Sequence, residues 1–503
     1  MLTNLKALVV VLALAWAVFA LARPMCLEFM SSEAFVRRRN VWFALTSVAF
    51  ISPAFWIYAL FAMALLYWAG ARDDNPLALF VLVTFTVPNV RFYLPGLIVD
   101  QLFDLTQYRI LSLVILLPVA YRIWNQPQEW GERRLRLPDV LLLAFVVLEI
   151  VLRIPYESVT NTMRRSFLLG LDTFVVFYAF SRISGKGRIA DVMTCFFLSC
   201  AVMAPIAIFE SIKGWLLYTG LAGLWGDPNE FAWIGRGDNL RAQAAAGHSL
   251  NLGYVLAMGL GFLLYLRPRI PAPWMGWLAI SVFATALYMT GSRGPWITAA
   301  LAMVLFAVLR PGAGRKLAGA AAIGFAIVAV MYLTPLKEAV LDRLPLIGSA
   351  DQDTVEYRQL LAEVSWQLIK QNPFFGDPFA YLHMESLRQG QGIIDIVNGY
   401  IYTALFTGLV GLGLQVGVFL LPVWHGLKAS FALRAVDPDA GSMGAALVAC
   451  MAGSLFFIAT AGYGTTTYIL CGLLLSYANS HAHDVVAVIY SVDHSTPRPA
   501  PVV

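Results

Sequence analysis

Long apolar runs alternate with short basic loops along most of the chain. The runs fall at 7–22, 41–70, 77–92, 109–124, 140–152, 167–181, 189–208, 247–266, 274–291, 295–309, 317–334, 399–424, 440–460 and 466–478. Many approach the roughly 20 residues that carry a helix across a hydrocarbon core of about 30 Å. Runs such as Val140–Ile150 and Leu317–Leu333 lack any period-two alternation, which argues against a transmembrane barrel. The pattern predicts an all-α polytopic membrane protein, a bundle of about 12–14 transmembrane helices. Ala7–Ala22 ends in Ala20-Leu21-Ala22 and reads as an uncleaved first span, not a cleaved signal peptide.

The Lys/Arg-rich loops are Arg37-Arg38-Arg39, Arg133/Arg134/Arg136, Arg182/Lys186/Arg188, Arg267/Arg269, Arg310/Arg315/Lys316 and Lys428/Arg434. The positive-inside rule assigns all six to the cytoplasm. Loop 153–166 runs against it with Arg153, Arg164 and Arg165. Between Arg39 and Arg133 an even number of crossings is required, yet three candidate segments lie there. The over-long 41–70 therefore reads as two helices, or one segment is re-entrant, with Pro53 and Pro88 as expected breaks.

This topology divides the chain into N-terminal transmembrane helices (1–208) and central helices with the first external loop and an Arg293 hairpin (209–334). A cap (335–398), C-terminal transmembrane helices (399–480) and a disordered cytoplasmic tail (481–503) follow. The cap holds 14 charged residues, too many for hydrocarbon. Within it 355–371 reads as an amphipathic helix with Tyr357, Leu360, Leu361, Val364 and Leu368 as its apolar stripe. Asn372-Pro373 ends the run.

Composition agrees with the pattern. Of 503 residues 59% are hydrophobic and 13% charged, about half the ~25% charge of soluble domains. The net charge of +5 is orientation charge in loops, not a nucleic-acid surface, so no nucleic-acid partner is expected. The five cysteines are scattered without a CxxC pair, and no HExxH, P-loop or dinucleotide fingerprint occurs. Neither a metal nor another cofactor is expected.

Candidate chemistry is a set of arginines at external helix ends. Arg241 precedes the run near Gly247, and Arg293 occupies the tight turn Thr290-Gly291-Ser292-Arg293-Gly294-Pro295. A planar, permanently charged guanidinium suits a diphosphate. Arg241 also fits a headgroup-facing arginine, and Arg293 a structural ion pair. Arg358 lies in the cap helix and by itself reads as an exposed helix residue. His248 and His383 are external histidines, structural or proton-transferring. Asp395 and Asn398 form a polar pair at a helix entry, either a helix cap or part of a site, with Tyr400 beside them.

Three stretches carry a resemblance. Thr290-Gly291-Ser292-Arg293-Gly294, Tyr357-Arg358 through Gln371-Asn372-Pro373-Phe374-Phe375-Gly376, and Ile394-Asp395-Ile396-Val397-Asn398-Gly399-Tyr400 with Gly408-Leu409-Val410-Gly411-Leu412 follow in order. Together they resemble the O-antigen ligase/polymerase superfamily of bacterial inner-membrane glycan transferases, over about 236–425. The resemblance implies a multi-pass inner-membrane enzyme with its site facing the periplasm, using an undecaprenyl-diphosphate-linked glycan as donor without metal or nucleotide sugar. An acceptor hydroxyl attacks the anomeric carbon, with inversion. Arg241 and Arg293 carry over as leaving-group ligands and Arg358 as a cap residue near the acceptor. Asp395, His383 and His248 are the candidate bases, and Asn398 and Tyr400 candidate substrate contacts. Expected partners are the lipid-linked donor, a glycan or lipid-linked acceptor, membrane lipids and a chain-length regulator. Val397 stands where ligases of the family carry a histidine, which favours a polymerase over a ligase passing polymer to lipid A–core. A lipid-linked glycan flippase and a non-catalytic scaffold are the competing classes.

Overall fold

The computed structural model describes residues 2–94, 104–126, 134–225, 235–236, 239–311, 352–388, 392 and 394–482. The run expected at 317–334, the first part of the cap and nearly all of the tail lie outside the described residues. The helices are α1 (Leu2–Cys26), α2 (Ser32–Ile51), α3 (Phe55–Ala71), α4 (Pro76–Val83), α5 (Gln107–Leu111), α6 (Leu117–Asn125), α7 (Leu137–Arg153), α8 (Val159–Leu169) and α9 (Val176–Phe180). There follow α10 (Lys186–Lys213), α11 (Thr219–Trp225), α12 (Ser249–Leu266), α13 (Pro273–Met289) and α14 (Arg293–Leu309). The last four are α15 (Gln352–Gln371), α16 (Gly399–Leu433), α17 (Pro438–Thr460) and α18 (Thr465–Ser480). The described strands are two-residue pairs, β1 (Phe92–Tyr93) with β2 (Asp104–Leu105) and β3 (Gly235–Arg236) with β4 (Asn239–Leu240), both antiparallel.

The protein is an all-α polytopic membrane protein. Among the described residues five helices, α1, α10, α12, α16 and α17, are long and apolar enough to cross a membrane, and α3, α13 and α14 are shorter apolar helices. Other rods are pieced together. Short π-helical segments at Ser112–Leu116 and Gly170–Val175 join α5 to α6 and α8 to α9.

The parity problem resolves at two breaks. Run 41–70 is two helices, because Pro53 lies between α2 and α3 and the Ser52 N–H closes α2 on Val48 O. Run 77–92 is a half-helix: α4 ends at Val83, and beyond Pro88 the chain leads into β1. The α4 residues Leu77–Val83 are all buried, as a short element inside the bundle must be when its backbone stops within it. With α5–α6 running back, the four rods between Arg39 and Arg133 return the chain to the side it left.

The basic loops gather at one end of the bundle. Buried Arg38 holds Asp73 (Nε 2.9 Å, Nη2 2.6 Å) and Asp191 (Nη1 2.6 Å, Nη2 3.0 Å). Arg182 pairs with Asp139 at 2.6 Å, Lys186 reaches Asp437 and Asp439 at 2.8 Å, and Arg269 also pairs with Asp439. These pairs tie the ends of α2, α3, α7, α9, α10, α12 and α17 together. The Arg241 loop and the Thr290–Ser292 turn meet away from these pairs.

The cap helix α15 packs Leu361 and Ile369 against Ala380, Met384, Leu387 and Ala404–Phe406. Tyr357, Val364 and Leu368 lie partly buried beside this cluster, whereas Leu360 is exposed and leaves the expected stripe. The helix starts at Gln352, three residues ahead of the expected 355.

α16 is two helical pieces meeting at Gly408, whose φ is 68°. The break frees backbone groups, and the segment after α15 takes them up. Leu409 N–H donates to Pro373 O at 2.8 Å, Val410 N–H to Phe374 O at 3.2 Å, and Asp377 N–H to Leu405 O at 2.7 Å. Gly376 (φ 66°) and Gly408 come so close to the facing backbone that a Cβ on either would collide with it. The Asn372–Gly376 and Gly408–Leu412 stretches are therefore one joint.

Candidate functional site

The turn between α13 and α14 gives each residue of Thr290–Arg293 a separate task. Thr290 Oγ1 donates to Leu287 O at 2.7 Å and satisfies the end of α13. Gly291 takes a left-handed φ of 59°, which reverses the chain. Ser292 is the N-cap of α14, and half-buried Arg293 is the first helical residue. Trp296 Nε1 donates back to Leu287 O at 2.7 Å and clamps the turn. Arg293 thus stands at a helix N-terminus, where the backbone dipole and free N–H groups also favour an anion.

Arg241 is laid onto this turn. Its Nε donates to Thr290 O at 3.1 Å and its Nη2 to Ser292 Oγ at 2.6 Å. The next residue joins the same contact, with Ala242 N–H donating to Met289 O at 3.1 Å. A Cβ on Gly291 would meet Arg241 Cγ at 3.2 Å, so the glycine makes room for the side chain as well as the turn. Two arginines separated widely in sequence share one turn.

Glu210 holds the Arg241 loop from behind. Its carboxylate, 1% exposed, accepts from Leu217 N–H (2.9 Å), Gln243 N–H (3.1 Å) and Ala244 N–H (2.8 Å). Ala244 has a φ of 44°, the one positive value at a non-glycine residue among the described residues. That left-handed conformation costs about 1–2 kcal/mol, and the carboxylate bond offsets it. Sequence reading passed over Glu210; the signal was an acid directly after the apolar run 189–208 and ahead of a polar loop.

His248 is the N-cap of α12, its Nδ1 accepting from Leu250 N–H at 3.2 Å. Surrounding protein draws water from the imidazole and the Arg241 guanidinium repels its proton, so its pKa lies below the usual 6.5 despite the opposing pull of Asp395. With Nδ1 accepting, the neutral ring carries its proton on Nε2 and presents a donor.

Asp395 is exposed and electrostatically coupled to His248. Its backbone is fixed by Tyr357 of α15, whose hydroxyl donates to Asp395 O at 2.9 Å and accepts from Asp395 N–H at 3.0 Å. Asn398 caps α16, its Oδ1 accepting from Tyr400 N–H (3.0 Å) and Ile401 N–H (3.1 Å). The Tyr400 hydroxyl donates to Leu455 O at 2.9 Å. Both residues fasten the start of α16. His383 faces Asp377 at 3.5 Å, and Arg358 lies exposed on α15. No described contact brings either to Arg241.

A cleft opens beside His248. Its outer chamber, about 430 Å³, is lined by Asn89, Arg91, Arg109, Asp172, His248 and Asn251 among others. Among the described residues no cluster of three or more histidine, cysteine or acidic side chains could hold a metal ion. Residues 278–416 match the family model described as O-antigen ligase. No curated protein matches the chain.

Proposed function

We infer that this chain, whose segment 278–416 matches the O-antigen ligase family model, transfers glycan from a lipid diphosphate during polysaccharide assembly. The enzyme is a multi-pass membrane protein of O-antigen ligase/polymerase type. In the finer reading the donor is undecaprenyl-diphosphate-linked, the basic-loop end faces the cytoplasm, and the Arg241–Arg293 end faces the periplasm of a bacterial inner membrane. The observation that carries it is the seating of Arg241 on the Arg293 turn through Thr290 O and Ser292 Oγ.

The chemistry follows from those groups. An acceptor hydroxyl oxygen attacks the anomeric carbon as the bond from that carbon to the diphosphate oxygen breaks. The bonding pair leaves on the diphosphate, where Arg241, Arg293 and the N-terminus of α14 stabilise the growing charge. The Arg241 guanidinium, already held by Thr290 O and Ser292 Oγ, needs little reorganisation as that charge develops. His248 donates from Nε2 to the same charge. The hydroxyl proton passes to Asp395, whose exposed carboxylate is electrostatically coupled to His248. Asn398, Tyr400 and the cap carrying Arg358 and His383 frame the acceptor side.

Val397 in place of a histidine before Asn398 favours a polymerase, which extends lipid-linked repeat units and takes its length from a separate regulator. The test is donor turnover by purified protein in detergent. Wild type should extend lipid-linked glycan and Arg293→Ala should not. Equal rates would sink the mechanism, and extension with no membrane to cross would exclude transport as the sole role. Attachment to lipid A–core without extension would replace polymerase by ligase.

A further inference from the structure

The cleft beside His248 is lined without any residue of the matched segment 278–416. Its outer chamber is formed by the stretch after α4, the start of α5, the Asp172 turn, the start of α12 and Thr465 of α18. Asn89, Tyr108, Asn251 and Thr465 also border an inner chamber of about 380 Å³, walled by Phe196, Tyr254, Phe457 and Tyr463. On the other side Arg109 and Asp172 border a third chamber of about 310 Å³ with Asn161, Arg164 and Arg165. Each chamber shares lining residues with the next, so the three line up as one channel, and His248 in the outer chamber feels the Arg241 charge.

The lining has the chemistry of a sugar site. Guanidinium donors, carboxylate acceptors and carboxamides with both functions stand side by side, next to aromatic walls. Vicinal hydroxyls donate to carboxylates and accept from guanidiniums, while the C–H face of a pyranose packs on a ring. Lipid tails would find charged groups here. A bare diphosphate would find carboxylates among its ligands, since Arg109 is pinned by Asp104 at 2.5 Å and Asp172 at 2.7 Å. Both rods carrying that bridge are wound into π turns, Ser112–Leu116 just after Arg109 and Gly170–Val175 around Asp172. Such turns concentrate at functional sites.

We propose that this channel binds sugar residues of the reacting glycan, so that segments outside 278–416 set which glycan is accepted. The assignment rests on the lipid-linked glycan reading above. Arg241 and Arg293 hold the diphosphate; Asn251, Asn89 and the Arg109–Asp172 bridge hold hydroxyls beyond it.

Two probes separate the two assignments. One is the free glycan, released from lipid extracted from a strain lacking the gene and so without diphosphate. The other is undecaprenyl diphosphate without sugar. Both should inhibit donor turnover by the full-length protein in detergent. Asn251 is exposed at the first turn of α12, so Asn251→Ala keeps the fold. It should weaken inhibition by the free glycan about tenfold, the worth of one good hydrogen bond, and leave inhibition by undecaprenyl diphosphate unchanged. Arg241→Ala should do the reverse in binding of the two probes. Asp172→Asn, checked by thermal melting, is the second channel variant. Free-glycan inhibition equal to wild type in both channel variants overturns the sugar site and leaves the arginine mechanism standing. Failure of undecaprenyl diphosphate to inhibit wild type overturns the functional reading itself.

Discussion

The Arg241 guanidinium donates through Nη2 to Ser292 Oγ at 2.6 Å. That bond joins the loop ahead of α12 to the N-cap of α14 and seats Arg241 on the turn that carries Arg293, the two arginines read as diphosphate ligands. Ser292→Ala should keep the protein inserted and lower kcat about tenfold, the scale of one lost hydrogen bond to a charged group. Arg241→Ala should cost about 10²–10³ in kcat, as for loss of a transition-state donor. Arg241→Lys should not rescue it, because an ammonium cannot bridge Thr290 O and Ser292 Oγ as a planar fork does. Steady-state turnover of the lipid-linked donor checks all three.

Gly291→Ala should be worse than its size suggests. The residue sits at a φ of 59° and its new methyl would press on Arg241 Cγ at 3.2 Å. The backbone term alone costs about 1–2 kcal/mol, read as lowered thermal stability in detergent. Gly413→Ala, which meets nothing within 4 Å, is the control and should behave as wild type.

Glu210→Gln removes a carboxylate that serves three N–H groups. A carboxamide has one oxygen and brings donors of its own toward other donors, and each buried N–H left unsatisfied costs about 1–3 kcal/mol. Turnover should fall and the 241–246 loop should exchange its amide hydrogens faster. Unchanged exchange there would show that the loop is held by other contacts.

The pH dependence should carry the signature of His248. Its pKa in the folded chain is lowered from 6.5, so the unfolded chain binds more protons at pH values between the two. Stability therefore rises with pH through that window, is unpenalised above 6.5, and is lost as pH falls toward the folded value. The α12 cap should weaken over the same range, since a protonated ring has no Nδ1 acceptor for Leu250 N–H. His248→Asn keeps a cap acceptor and removes the titration. An acid limb of melting temperature identical in wild type and His248→Asn would refute the assignment.

Disruption of the Gly408 joint tests the cap. Gly408→Ala would drive a methyl into the Phe374 backbone at a φ of 68°. The expected result is faster proteolysis across 372–388, with the α10–α12 core still protected.

The helical class, the gathering of basic loops at one end and the tight turn at Thr290–Arg293 were legible in the sequence. Each is local or repetitive: a span needs only some 20 apolar residues, and a tight turn advertises itself by glycine and proline. The break at Pro53 was legible for the same reason. Leu360 misled because a helical stripe fixes spacing, not which edge of the stripe finds a partner. Asn398, open to cap or site from its position, caps α16, and the Tyr400 hydroxyl fastens the same helix to Leu455 O. Glu210, the Arg109–Asp172 bridge and the channel could not be read from neighbours at all. Their partners lie far away along the chain, and only packing of α4, α5, α10, α12 and α18 brings them together. Sequence pattern alone determined which residues can enter the membrane and where the chain turns. The tertiary structure decided which distant polar groups meet, because a buried charge or N–H is satisfied by whichever partner the packing delivers.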